Sequence, residues 1–370
     1  MNTEILGIVL MYALVVLCAI PLGRYIGKIF SNEKTWLDVI FNPIDKLFYK
    51  LSGIDPSKEM NWKEHLVALL TMNGLWFLVS MLVLMTQGWL PLNPDGNPSM
   101  SADLAFNTSV SFVTNTNLQH YSGESGLSYL GQLILMLWQF ISAGTGIAIC
   151  AVVFIAMKER TTDKLGNYYN LFVRSCTRIL LPLAVVVGLI LMFNGVPMTF
   201  HGTDTIVTLQ GDTTQVSRGP AAAMVAIKQL GTNGGGYFGA NSAVPLESPN
   251  YITNVVECVS IFLIPIAMIF ALGYMLKRRK LAWVIFGVMT IGFLCFLLPT
   301  VYYEMNGNPA IAKMGVMQNL GSMEGKEVRF GPAASAYWAI CTTVTSNGSV
   351  NAMHDSLTPL SGMFAMLGMM

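Results

Sequence analysis

Residues 219–242 read GPAAAMVAIKQLGTNGGGYFGANS, and residues 331–356 read GPAASAYWAICTTVTSNGSVNAMHDS. Both open on Gly-Pro-Ala-Ala, run through a short apolar helix, pass an Asn-Gly and close on Asn-Ser or Asp-Ser nine residues after that Asn. A third stretch, 105–122 (AFNTSVSFVTNTNLQHYS), has the same character. Its Asn115 precedes Asn233 by 118 residues, and Asn233 precedes Asn347 by 114. Between successive asparagines lie two long apolar segments, so the repeating unit is helix, re-entrant loop, helix, always in one orientation.

The chain around these repeats is too apolar for a soluble globule. Of its 370 residues 53% are hydrophobic and only 11% charged, against about 25% charged in soluble domains. With 21 Lys and Arg against 20 Asp and Glu, it lacks the basic excess of nucleic-acid binders. Six uncharged intervals, 5–23, 66–93, 125–157, 179–203, 258–276 and 281–303, are long enough to cross about 30 Å of hydrocarbon. A signal peptide is the alternative for the first interval, but Glu4 leads it and Arg24 and Lys28 follow. Reading it as a retained helix with an outer N-terminus puts sixteen of the 21 basic residues inside, among them Arg160, Arg174, Arg178 and the run Lys277–Lys280.

The outer segments, near 94–124, 204–252 and 304–356, each contain a piece too apolar for a loop and too polar or short for a span. Residues 330–354 are uncharged and long enough to cross, yet Thr342, Thr343, Thr345, Ser346, Asn347, Gly348, Ser349 and Asn351 would strand hydrogen-bonding groups in lipid. A half-membrane helix with a polar return leg is expected instead. The domain reading is an extra helix over 1–30, unit one over 63–157, unit two over 168–280 and unit three over 281–370. The second helix of unit three starts near Thr358 and Pro359 and is short.

A short helix dipping from outside aims its negative dipole end at the membrane centre, and the return leg offers backbone carbonyls that replace an ion's hydration shell. The expected filter residues are Thr114, Asn115 and Thr116, then Thr232, Asn233, Gly234 and Gly235, then Thr345, Ser346, Asn347 and Gly348. No carboxylate stands at the centre of any leg, which suits potassium rather than Ca²⁺ or Mg²⁺. Lys228, Asn241 and Asp355 are assigned to filter support. Lys228 is expected to snorkel to the outer interface, with electrostatic tuning of ion occupancy as the other reading. Asp355 aligns with Asn241 and is expected to brace its loop by a hydrogen bond. Glu257 reads as an interfacial residue, with a cation-attracting group as the other reading, and 198–218 as a small outer hairpin turning at Gln210-Gly211-Asp212.

The runs SFVTNTNLQHYSGE, LGTNGGGYFGANSAVPLESPN and TSNGSVNAMHDSLTPLSGMFAMLG closely resemble the potassium-binding A subunits of the Kdp potassium-transporting ATPases, and the likeness extends from the first helix to Met370. The resemblance implies an all-α polytopic protein of the potassium transporter superfamily, with four pore-loop units around a pseudo-fourfold axis. It also implies residence in the bacterial inner membrane. Potassium is then taken from the outer face and passed through an intramembrane tunnel to a P-type ATPase subunit, with small accessory subunits completing the assembly. Only three of the four expected loops are present in this sequence, so the polypeptide reads as truncated or a fragment, and conduction by it alone is not expected.

Catalytic signatures are missing. GRYIGK from Gly23 and GSMEGK from Gly321 have the wrong spacing for a phosphate loop, and the phosphorylated-Asp signature of P-type ATPases is absent. ATP hydrolysis is therefore expected in a partner, with no covalent cofactor here and potassium as the transported ligand. An autonomous symporter or channel of the same superfamily is the alternative. A redox or proton-pumping subunit would need titratable groups at mid-membrane, which the spans lack. The six cysteines lie singly and mostly in apolar runs, where a thiol serves as a small hydrophobe.

Overall fold

The computed structural model describes residues 3–159 and 161–370; Arg160, counted above among the inner charges, lies outside them. Helices dominate, and six of them are long and apolar enough to span a membrane: α1 (Thr3–Phe30), α3 (Trp62–Thr86), α5 (Tyr129–Lys158), α6 (Tyr168–Phe193), α8 (Tyr251–Met275) and α9 (Arg279–Asn306). The protein is an all-α multi-pass membrane protein. Between the spans lie α2 (Asp38–Ser52) and three shorter apolar helices, α4 (Ala102–Val113), α7 (Ala221–Leu230) and α10 (Gly331–Val344), before α11 (Pro359–Met369).

Local chemistry sets where the spans begin. Asn61 accepts from the amides of Lys63 and Glu64 while Glu64 reaches back to the Asn61 amide, closing a capping box on α3. Asn250 and Thr253 do the same for α8, and the Ser128 hydroxyl accepts from Gly131 at the start of α5. The second span stops at Thr86, short of the expected Asn93. Past that point the buried Gln87 side chain donates to the carbonyls of Pro98 and Gly126 and accepts from Ser128, tying irregular backbone together.

The fourth span starts eleven residues earlier than expected, at Tyr168, and takes Arg174 and Arg178 into the helix. The cause is tertiary: Arg178, 2% exposed, pairs with Asp38 at 2.8 Å and Asp45 at 2.6 Å across to α2. A π-helical turn over Ser175–Leu180 marks the place.

Helix α8 is central and buried along most of its length, whereas α3 is largely exposed. Helix α1 lies directly on it. A Cβ at Gly23 would sit 2.5 Å from the Ala267 carbonyl oxygen, the close backbone approach that small residues permit between membrane helices. The expected hairpin is present as antiparallel strands Asp204–Val207 and Thr213–Val216. Apart from an isolated bridge between Lys326 and Ala352, it is the only β-structure among the described residues.

Candidate functional site

The three short helices end alike. Each closes on a residue of ordinary backbone hand, Thr114, Gly231 or Thr345, with φ of −88°, −80° and −103°. The next residue is left-handed in all three: Asn115 at φ 63°, Thr232 at 50° and Ser346 at 54°. After one residue of negative φ (Thr116, Asn233 or Asn347), a second left-handed residue follows: Asn117 at 52°, Gly234 at 73° and Gly348 at 91°. The loops are thus congruent residue by residue. The sequence alignment on Asn115, Asn233 and Asn347 is corrected by one place in the first loop, where Thr116 is the true equivalent of the other two asparagines. Side-chain identity misled there, because Asn tolerates the left-handed region and occupies both left-handed positions of loop one.

In each loop the amides turn back onto their own helix. Thr116 and Asn117 both donate to the Ser111 carbonyl, and Asn233 and Gly234 both donate to that of Lys228. Asn347 donates to the Thr342 carbonyl and Gly348 to the Thr342 hydroxyl. In a planar trans peptide the carbonyl points opposite to the amide. The oxygens of Asn115 and Thr116, of Thr232 and Asn233, and of Ser346 and Asn347 are consequently turned away from the helix ends.

The loops also touch, with loop two in the middle. The Asn115 side chain donates to Gly231 O at 3.1 Å and accepts from Asn233 Nδ2 at 3.2 Å. On the other side Asn347 Nδ2 donates to Lys228 O, and a Cβ at Gly234 would fall 2.1 Å from Asn347 O. Gly235 is wedged between Gln139 and Asn117. All eleven expected filter residues therefore lie on three adjoining loops. Asn233, Gly234, Gly235 and Asn347 are buried, Asn115, Thr232 and Thr345 half-buried, and Thr114, Thr116, Ser346 and Gly348 exposed.

A profile of the potassium-transporting ATPase A subunit family matches residues 9–370. The chain belongs to that family. Among curated relatives it is 63% identical over 370 residues to the potassium-transporting ATPase potassium-binding subunit of Flavobacterium psychrophilum, covering 100% of this chain and 65% of the relative. The subunits of the same name from Bacteroides thetaiotaomicron and Pseudomonas aeruginosa are 58% identical over 370 residues and 45% identical over 368. They too are covered to 65%, with 100% and 99% of this chain aligned. The chain thus spans about two thirds of the length of these A subunits.

Around the loops of this A-subunit family member, three support assignments change or sharpen. Lys228 does not snorkel; its side chain is wholly buried. The ammonium pairs with Glu247, donates to Asn241 Oδ1 at 2.8 Å and Ser242 Oγ at 2.5 Å, and lies 3.9 Å from Glu257. A cation inside low-dielectric protein needs such a shell, and the carboxylates that supply it stand 19 and 29 residues downstream, outside any local pattern. Glu257 is accordingly not interfacial. It is fully buried and accepts from Gln229 Nε2 and Ser242 Oγ. Asn241 braces its loop as expected, donating to Gly234 O at 2.7 Å. Asp355, its counterpart by count, is exposed and makes no side-chain hydrogen bond among the described residues, so the bracing role assigned to it is withdrawn. Loop three is held instead by Trp338 Nε1 donating to Ser349 O and by Ser349 Oγ donating to Gln229.

Residues the sequence reading missed complete the frame. Gln139 Nε2 donates to Gly235 O at 2.6 Å, Ser142 Oγ to Asn115 Oδ1 at 2.8 Å, and Gln119 exchanges two hydrogen bonds with Gly236. The available signal was an uncharged amide, Gln139, in mid-span, where an unpartnered polar group is expensive.

Proposed function

We propose that this chain is the potassium-binding and translocating part of an ATP-driven potassium uptake system. One observation carries the reading: three congruent loops adjoin, and each turns consecutive peptide oxygens away from its own helix. Carbonyl oxygens in that arrangement replace the water of a weakly hydrated monovalent cation. The loop residues Thr114, Asn115, Thr116, Thr232, Asn233, Gly234, Gly235, Thr345, Ser346, Asn347 and Gly348 form the potassium filter, with Lys228 and Asn241 bracing the middle loop. Asn233 Oδ1 and Gln139 Oε1, buried and without hydrogen-bond partners among the described residues, add to the oxygen-rich interior. The units 63–157, 168–280 and 281–370 each contribute one loop.

The wider assignment extends what the relatives' names say. The N-terminus lies outside the bacterial inner membrane, and potassium enters from that side. An intramembrane tunnel passes it to a P-type ATPase catalytic subunit, which hydrolyses the ATP, and small accessory subunits complete the assembly. This chain itself is non-catalytic and uses no covalent cofactor. Thermal unfolding of the purified chain in detergent tests the core of the proposal: K⁺ and Rb⁺ should raise the midpoint and Na⁺ should not. Equal stabilisation by Na⁺ and K⁺ would overturn it.

A further inference from the structure

Helix α2 is built inside out. The face docked on the bundle carries Asp38, Asp45 and Tyr49, and Arg178 binds that face through Asp38, Asp45 and, at 2.7 Å, Asn42. Tyr49 adds a hydrogen bond to Asn170 at 3.1 Å. Arg174 joins the cluster, donating to Ile29 O and Asn32 Oδ1. Away from the bundle the helix presents Ile40, Ile44, Leu47 and Leu51, exposed by 57%, 52%, 59% and 79%. Their spacing of four, three and four residues makes one continuous stripe. At about 100° per residue, the stripe, the exposed pair Lys46 and Lys50, and the docked polar face occupy three separate sectors.

A soluble surface helix has the opposite polarity, with its apolar stripe on the core. Helix α2 follows the end of span α1 by a seven-residue link and docks at the start of span α6, so it lies at the membrane boundary. It is at the end of the bundle away from the pore loops, where the basic residues concentrate. We propose that α2 lies in the surface of an anionic phospholipid leaflet, its aliphatic stripe among the acyl chains and Lys46 and Lys50 at the headgroups, with the Arg178 clamp setting its roll. An amphipathic helix of this pattern binds by buried apolar area plus attraction to anionic lipid, and lysines near such a surface add to it. Assigning the leaflet as the inner one rests on the orientation proposed above; the depth of the stripe does not.

The test uses the full chain reconstituted in bilayers of phosphatidylcholine with or without phosphatidylglycerol. A photoreactive benzoylphenylalanine at Leu47 should crosslink to lipid; crosslinking to another polypeptide, or a second copy of this chain, would overturn the proposal. Spin labels on single cysteines, with the six native cysteines replaced, should show an oxygen-to-nickel-chelate collision ratio several-fold higher at Leu47 and Leu51 than at Lys46. Equal ratios would overturn it. The Lys46→Gln/Lys50→Gln double variant should lower the Leu47 ratio in phosphatidylglycerol bilayers and leave it unchanged in phosphatidylcholine alone; no difference in either would remove the headgroup contact. None of these readouts depends on potassium binding.

Discussion

Alanine at Gly234 separates the geometry of the loops from their conformational strain. Its Cβ would sit 2.1 Å from Asn347 O, 2.6 Å from Ser349 N and 2.7 Å from Gly348 C. A carbon–oxygen contact needs about 3.3 Å, so loops two and three must part by about 1 Å. Holding an L-residue at φ 73° costs about 1–2 kcal/mol, and overpacking against backbone adds about 1–3 kcal/mol. Gly348 is the control: its φ is 91°, but an added Cβ meets nothing within 4 Å, so Gly348→Ala carries only the strain of about 1–2 kcal/mol. Unfolding midpoints of the two variants, in detergent with and without K⁺, should rank Gly234→Ala well below Gly348→Ala. Bound ligand at a hundredfold excess over its Kd stabilises by about 2.7 kcal/mol, and under the filter proposed above this K⁺-dependent increment should shrink in Gly234→Ala because loops two and three are pushed apart. An equal loss of stability in Gly348→Ala and Gly234→Ala, or a full K⁺ increment in Gly234→Ala, would refute the contact between loops two and three as the cause.

Lys228→Met leaves Glu247 and Glu257 buried without their cation and should cost about 3–5 kcal/mol, with the Lys228→Met/Glu247→Gln double variant recovering part of it in the same unfolding assay. Asn241→Ala removes the donor to Gly234 O and an acceptor of Lys228, a loss of about 1–3 kcal/mol. Asp355→Ala should stay within about 0.5 kcal/mol of the parent, and an equal loss in the two would restore the bracing role withdrawn above. Burial, with Lys326 adding to it, pushes His354 from its ordinary 6.5 down to about 4. Between those values the unfolded chain takes up a proton that the folded chain refuses, so stability should fall as pH drops through that window. His354→Gln should flatten that slope, measured as midpoint against pH.

Much of the architecture was legible in the linear chain because the bilayer imposes a simple length and polarity rule. The existence of six spans, the short apolar helices and the polar legs of residues 114–117, 232–236 and 345–348 follow from it. For Arg178 and Lys228 that reading failed because a distant partner had intervened. Arg178 looked like a terminal basic residue until Asp38 and Asp45, more than 130 positions upstream, drew it into the fold. Lys228 looked like a snorkelling side chain for the same reason. The one-place shift in loop one arose because Asn serves equally as a left-handed residue and as a hydrogen-bonding one, so letters alone leave the register open.

Apolar run length by itself determined that this is a multi-pass helical protein, and the recurring Gly-Pro-Ala-Ala and Asn-Gly signals of residues 219–242 and 331–356 singled out two of its three short-helix loops. Only the tertiary structure decided which loop stands between the others, what neutralises Lys228, and that α2 faces outward with its aliphatic side. Those outcomes depend on contacts between residues roughly twenty to more than a hundred positions apart, and a buried charge or carbonyl is satisfied by whatever the packing brings near it.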